Sequence, residues 1–192
     1  MNPETVLNMF RETGALLEGH FIYTSGRHGR QFIQAARVMQ YPDKAEALGK
    51  ALADLFREER PKLVVGPATG GIVLAHVTAR HLGCRAVYSE KDGQGGMAIK
   101  RGFAVPSGIR ALVVEDITTT GGSVRKTIEH LRVRGAEVVG VGALIDRSGG
   151  AVTFDCPFRP LVTLKMESYL PDELPEDLRA MPALEPDDII LG

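Results

Sequence analysis

The sequence predicts an α/β fold: a central, mostly parallel sheet flanked by helices on both faces. Three observations lead there. Short apolar runs alternate with helical patterns from residue 42 to residue 147, as expected of strands buried on both faces and joined by helical crossovers. One junction, 113–123 (VVEDITTTGGS), runs from an apolar strand through two carboxylates and a hydroxyl- and glycine-rich turn into a helical pattern. A chain of 192 residues, 44% of them apolar, suits one globular domain.

The elements follow in order. Residues 3–17 read as a short amphipathic helix, with Val6, Leu7, Phe10 and Leu17 near helical spacing. The stretch 19–42 suggests two short strands around a turn at Ser25-Gly26, the second carrying Phe32 and Ile33. Pro42 opens a helix in which Ala45, Leu48, Ala51, Leu52, Leu55 and Phe56 recur at three- and four-residue steps. A strand at 62–66 leads through Gly70 and Gly71 into a helix to about Leu82, closed by Gly83. The strand 85–91 is separated by a glycine-rich loop, 92–96, from a hairpin or arm at 97–105. The strand 110–116 feeds the junction, and the helix 122–134 gathers Val124, Ile128 and Leu131 before Gly135. A long apolar strand, 137–147, and a last one, 161–166, complete the sheet. Beyond it Pro171, Pro175, Pro182 and Pro186 exclude long regular structure, so a wrapped or partly ordered tail without chemistry is expected.

Composition narrows the function classes. The net charge of −1 gives no electrostatic footprint for nucleic acid. No apolar run approaches the ~20 residues that span a bilayer. The first residues lack the basic and apolar regions of a signal peptide, so a cytoplasmic protein is expected. Cys84 and Cys156 lack metal-ligand spacing and read as core residues without a disulfide.

The junction carries the chemistry. A helix N-terminus offers free backbone N–H groups and a positive dipole end, and Gly121 and Gly122 let a ligand come close. The hydroxyls of Thr118, Thr119, Thr120 and Ser123 add donors. Such a turn suits a phosphate, whereas Glu115 and Asp116 suit ribose hydroxyls or a hydrated divalent cation. A sugar phosphate carries both. The plain alternative is a strand–loop–helix turn that binds nothing.

The junction's order of aliphatic residues, two acids, two variable positions and Thr-Thr-Gly-Gly-Ser resembles the phosphoribosyl pyrophosphate (PRPP) signature of type I phosphoribosyltransferases. The stretch 19–28 (GHFIYTSGRH) resembles the N-terminal segment of orotate phosphoribosyltransferases, of the form Gly-His-Phe-x-Leu-x-Ser-Gly. The stretch 66–72 (GPATGGI) resembles their pyrophosphate-side loop, and 144–150 (LIDRSGG) their late strand with Asp-Arg. The segment 168–175 is a weaker match to a C-terminal stretch of some bacterial members. The resemblance implies a type I phosphoribosyltransferase fold in a single domain, 1–192, with a core at about 41–160 and a hood and tail from 1–40 and about 161–192. It implies transfer of the 5-phosphoribosyl group from PRPP to orotate, giving orotidine 5′-monophosphate and pyrophosphate for pyrimidine synthesis.

It also implies roles. Glu115, Asp116, Ile117, Thr118, Thr119, Thr120, Gly121, Gly122, Ser123, Ala68, Thr69, Gly70 and Lys91 would bind PRPP. Thr119, Arg147, Phe32, Ile33 and Thr24 would meet orotate, and Lys91, Asp116, Lys100 and Arg101 would serve catalysis. Mg²⁺ would arrive with PRPP and reach Glu115 and Asp116 through water. A homodimer whose mobile loop is shared between subunits is the family expectation. Three features depart from the family pattern. Thr24 stands for a lysine, Thr69-Gly70 lacks the lysine of many pyrophosphate loops, and the loop 88–103 has only Lys91 before its glycines and no histidine. Lys100 and Arg101, after the glycines, offer charge instead. A purine-type phosphoribosyltransferase and a PRPP-sensing regulator are the competing readings.

Overall fold

Asn2 caps the first helix, α1 (Pro3–Glu12), its side-chain oxygen accepting the Thr5 N–H at 2.8 Å. Val6 and Phe10, one turn apart, sink it into the core. The helix ends earlier than the apolar spacing predicts. The Thr13 hydroxyl donates back to the Met9 carbonyl at 2.8 Å, Gly14 turns the chain at φ 63°, and Leu16 and Leu17 open a strand instead. The computed structural model describes residues 1–23 and 25–185.

That strand, β1 (Leu16–Ile22), pairs antiparallel with β2 (His28–Ile33). A short helix follows that periodicity does not reveal, α2 (Ala36–Met39), because four residues are too few to show a period. Then α3 (Pro42–Leu55) begins at Pro42, with Leu48 and Leu52 fully buried one turn apart.

From there strands and helices alternate as the sequence predicts: β3 (Leu63–Pro67), α4 (Gly71–Leu82), β4 (Arg85–Lys91), β5 (Met97–Ala98), β6 (Arg110–Thr118), α5 (Gly122–Val133), β7 (Glu137–Asp146) and β8 (Phe158–Thr163). Their order across the sheet is β5-β4-β3-β6-β7-β8. All are parallel except β5, which runs antiparallel to β4. Of the arm expected at 97–105, only Met97 and Ala98 join the ladder. The last strand lies at Phe158–Thr163 rather than 161–166.

Side chains alternate across the sheet, so each strand supplies two cores. Val64, Leu112 and Val114 face a cluster with α1, α3 and α4, while Leu63, Val65, Ala111 and Val113 face α5 through Val124, Ile128 and Leu131. The tail is more regular than its prolines suggest. It forms a 3₁₀ turn at Pro171–Glu173, then α6 (Glu176–Arg179), then β9 (Ala183–Leu184), which lies parallel against β1. A second sheet, β2-β1-β9, results. Arg30 pairs with Asp177, and His20 Nδ1 donates to the Met181 carbonyl at 3.1 Å. His28 meets His20 at 2.6 Å, so both histidines of this segment serve the second sheet. Pro186 lies outside the described residues.

The strand order places the crevice. β4 lies on one side of β3 and β6 on the other, so the loops leaving the carboxyl ends of β3 and β6 diverge. Open α/β sheets bind ligands at such a reversal.

Candidate active site

The two diverging loops are 67–71, after β3, and 118–122, after β6. The first packs against β6 because glycine permits it. A Cβ on Gly70 would overlap the Asp116 carboxylate, and one on Gly66 would overlap the Gly71 carbonyl. The turn is tied to β4 by the Ala68 N–H, which donates to the Ser89 carbonyl at 2.7 Å, and the Ala68–Thr69 peptide is cis.

Gly121, at φ 73°, caps α5 with no side-chain hydrogen bond, so the first-turn N–H groups point into open space. A cavity of about 300 Å³ lies over them. It is lined by Glu115, Ile117, Thr118, Thr119, Thr120, Gly121, Gly122 and Ser123, together with Val124 and Lys126. Every residue of the junction from Ile117 onward is thus in one wall. Lys126 was not singled out in the sequence. It lies one helical turn beyond Ser123, and that i, i+3 spacing is the signal that would have found it. A larger cavity, about 620 Å³, lies elsewhere, between β1, β2 and the tail, and contains no residue of the junction or of 67–71.

Glu115 is 9% exposed, and burial, with the charge of Asp116 beside it, pushes its carboxyl up to about 8. Burial also raises Asp116, while the Ile117 N–H donates to its Oδ1 at 2.7 Å. Two neighbouring carboxylates short of water call for donors or a cation. Among the described residues no group of three or more His, Cys, Asp or Glu forms a metal site. A cation here would take its remaining ligands from a bound phosphate or from water. Because folding holds the Glu115 proton more tightly than the unfolded chain does, this group stabilises the ligand-free protein at low pH. That contribution is lost as pH rises from its ordinary value of 4.5 through about 8. Glu115→Gln is expected to flatten the slope in thermal melts between pH ~5 and ~8.5.

Arg147 leaves the end of β7. Its backbone N–H donates to the Thr118 carbonyl at 2.8 Å, which fixes it beside the cavity. Its Nε is buried without a partner, and its guanidinium carbon lies 5.9 Å from the Tyr23 ring centroid. Asp146, 1% exposed, accepts the Ser148 and Gly150 N–H groups at 2.8 and 3.0 Å and shapes the turn beyond. Phe32 is half-buried with its ring 5.8 Å from that of Phe21, whereas Ile33, opposite Leu16, belongs to the core. Thr24 lies outside the described residues.

The basic residues of the arm are not at the cavity. Lys91 is exposed at the end of β4. Lys100 Nζ sits 3.0 Å from the Lys91 carbonyl and 3.8 Å from Glu90, and Arg101 pairs with Glu90 at 3.1 Å. Asp92 accepts the N–H groups of Gln94 and Gly96 at 2.7 and 2.9 Å, so the glycine-rich loop is a compact turn.

The phosphoribosyl transferase domain model matches residues 35–155. The chain is 52% identical over 168 residues to an orotate phosphoribosyltransferase of Thermus thermophilus, covering 88% of this chain and 91% of that one. The chain belongs to the orotate phosphoribosyltransferase family. An orotate phosphoribosyltransferase of Caldicellulosiruptor saccharolyticus matches at 42% identity over 97% of each chain. Among solved structures, an orotate phosphoribosyltransferase from Aeropyrum pernix superposes with a TM-score of 0.69 at 29% identity, covering 83% of this chain and 94% of that one. An adenine phosphoribosyltransferase from Rhodothermus marinus, at 24% identity and a TM-score of 0.65, shares the fold.

In this orotate phosphoribosyltransferase family member Thr118 is 1% exposed and its buried hydroxyl is unpartnered, yet Thr118 lines the cavity. Thr118→Val keeps its shape and removes an unpaired buried hydroxyl, which costs about 1–3 kcal/mol when left unmet. The expected result is an unchanged or higher melting temperature with weaker PRPP binding, read by calorimetric titration. Among the described residues no helix is long and apolar enough to cross a membrane, and both cysteines are free and half-buried.

Proposed function

We propose that this chain transfers the 5-phosphoribosyl group of PRPP to orotate, forming orotidine 5′-monophosphate and pyrophosphate in pyrimidine synthesis. The observation that carries this reading is Arg147: a buried, unpaired guanidinium N–H rooted on the carbonyl of Thr118. A purine lacks the carboxylate such a fork suits, so this observation favours orotate over the purine bases.

In this reading the 118–123 turn and the α5 N-terminus hold the 5′-phosphate, with Lys126 adding charge. Glu115 and Asp116 accept the 2′- and 3′-hydroxyls. The 68–70 turn holds the pyrophosphate side, where Gly70 lies against Asp116. Orotate sits with its carboxylate on Arg147, near Thr119 and Phe32. Its N1 gives up its proton to water and forms the new bond to C1 as the C1–O bond to pyrophosphate breaks, and the electron pair of that bond leaves with pyrophosphate. These residues act by placing N1 against C1 and by stabilising the charge that develops. Glu115 and Asp116 would hold a Mg²⁺ arriving with PRPP through its bound water, and the cation would neutralise charge on the leaving group.

Lys91, Lys100 and Arg101 are the cations of the leaving-group side. Their use requires the arm to leave Glu90 and close. A homodimer with this arm shared between subunits, a cytoplasmic location, and one domain with 1–40 and about 161–192 as the hood over the 41–160 core belong to the same reading. The β2-β1-β9 sheet supports the hood.

Loss of orotate absorbance with purified protein, PRPP and Mg²⁺ tests it. Turnover of orotate, and not of hypoxanthine, adenine or uracil, is the expected result. Turnover of a purine base instead would overturn it in favour of the purine-type reading. PRPP binding with no base consumed would replace it with a PRPP-sensing regulator.

A further inference from the structure

Tyr23 stands where the Gly-His-Phe-x-Leu-x-Ser-Gly form has leucine, and its ring faces Arg147 with the guanidinium carbon 5.9 Å from the ring centroid. A leucine there would give van der Waals contact without the negative ring face that attracts a cation. The ring is held on several sides. Its hydroxyl donates to the Gln31 carbonyl at 2.6 Å. On β2, Gly29 is bare because the hydroxyl end of the ring fills the space its Cβ would need. The Tyr23 N–H donates to the Arg27 carbonyl at 2.8 Å, and its own carbonyl accepts the Gly26 N–H at 2.8 Å, closing the turn at its root.

Arg147 is fixed at its backbone by Thr118, but its Nε is buried with no partner. Its side chain therefore needs something to set its plane before a ligand arrives. A guanidinium lying over an aromatic face keeps its in-plane N–H groups free, and those are the ones a planar carboxylate takes two at a time. Stacking and carboxylate binding use different parts of the group and do not compete.

We propose that Tyr23 is a positioning residue that sets the plane of the Arg147 guanidinium, and through it the preference of the site for a base bearing a carboxylate. This rests on the orotate reading above. Tyr23 meets no reacting atom, so its effect falls on the affinity for orotate and leaves PRPP alone.

Steady-state kinetics of the full chain, with orotate and PRPP varied in turn, test the proposal. Tyr23→Leu is expected to raise the orotate KM about fivefold to tenfold, the size of a partly desolvated cation–π contact, with the PRPP KM unchanged. Tyr23→Phe keeps the ring and is expected to stay within about twofold of the parent. If Tyr23→Leu lowers the melting temperature, Tyr23→Met, bulky and without a ring, takes its place with the same expectation. Combined with Arg147→Lys, Tyr23→Leu should lose its effect, since an ammonium has no plane to set. An unchanged orotate KM in the leucine or methionine variant overturns the proposal. So does a PRPP KM that rises in step, a phenylalanine variant as impaired as leucine, or full additivity with Arg147→Lys. The unmodified protein is assayed first: if it consumes no orotate, the parent reading falls and this one with it. If it does and the variants match it, only the role of Tyr23 falls.

Discussion

Asp116→Asn is expected to lower kcat/KM for PRPP by roughly a hundredfold or more, the scale of losing a charged group aimed at the reacting centre. Asparagine keeps the size and shape that Gly70 packs against, so the 67–71 turn stays packed on β6. It replaces a buried carboxyl whose charged form burial disfavours, so the ligand-free protein should melt at the same temperature or higher. The paired outcome is the useful part. A folding defect would lower both melting temperature and affinity, whereas loss of a ribose contact lowers affinity alone. Titration with PRPP and Mg²⁺, beside a thermal melt, separates the two, and unchanged PRPP affinity would remove Asp116 from the site.

Arg147→Ala is expected to raise the orotate KM by roughly a hundredfold, since two charge-assisted hydrogen bonds contribute about 1.5–3 kcal/mol each before losses from ordering. The PRPP KM should stay within about twofold, because the bond from residue 147 to the Thr118 carbonyl belongs to the backbone and survives the change. Alanine also removes the unpaired buried Nε, so stability should not suffer. Added guanidinium ion should restore part of the orotate affinity. An unchanged orotate KM would mean that the base is recognised elsewhere.

Much of this fold is legible in the sequence for a physical reason. The central strands β3, β6 and β7 are buried on both faces along most of their length and read as largely apolar runs, and α3, α4 and α5 are long enough to show their period. What is not legible is short or local. The end of α1 is set by Thr13 and Gly14 against an apolar pattern that continues through Leu17. The helix α2 and the strand β9 are too brief to carry a pattern, and β9 exists only because β1 is there to pair with it.

The site divides along the same line. The junction 115–123 is contiguous, so its residues could be named together, and all of them except Asp116 line one cavity. Lys126 joins them only through helical geometry. Tyr23 follows a strand of one sheet and Arg147 a strand of the other, and no spacing in the chain announces that they meet. The arm is the converse case: Lys100 and Arg101 attract notice by charge, yet in the structure that charge is spent on Glu90.

The two-residue strand β9 has a consequence for how the protein behaves in solution. Ala183 and Leu184 cover one side of β1, whose other side is taken by β2. Without that cover, the backbone donors and acceptors of His20 and Phe21 would form an open strand edge, the kind of surface on which a second polypeptide can add itself. Ala183 and Leu184 thus act as a built-in blocker of edge-to-edge aggregation. Removing them threatens solubility before it threatens chemistry.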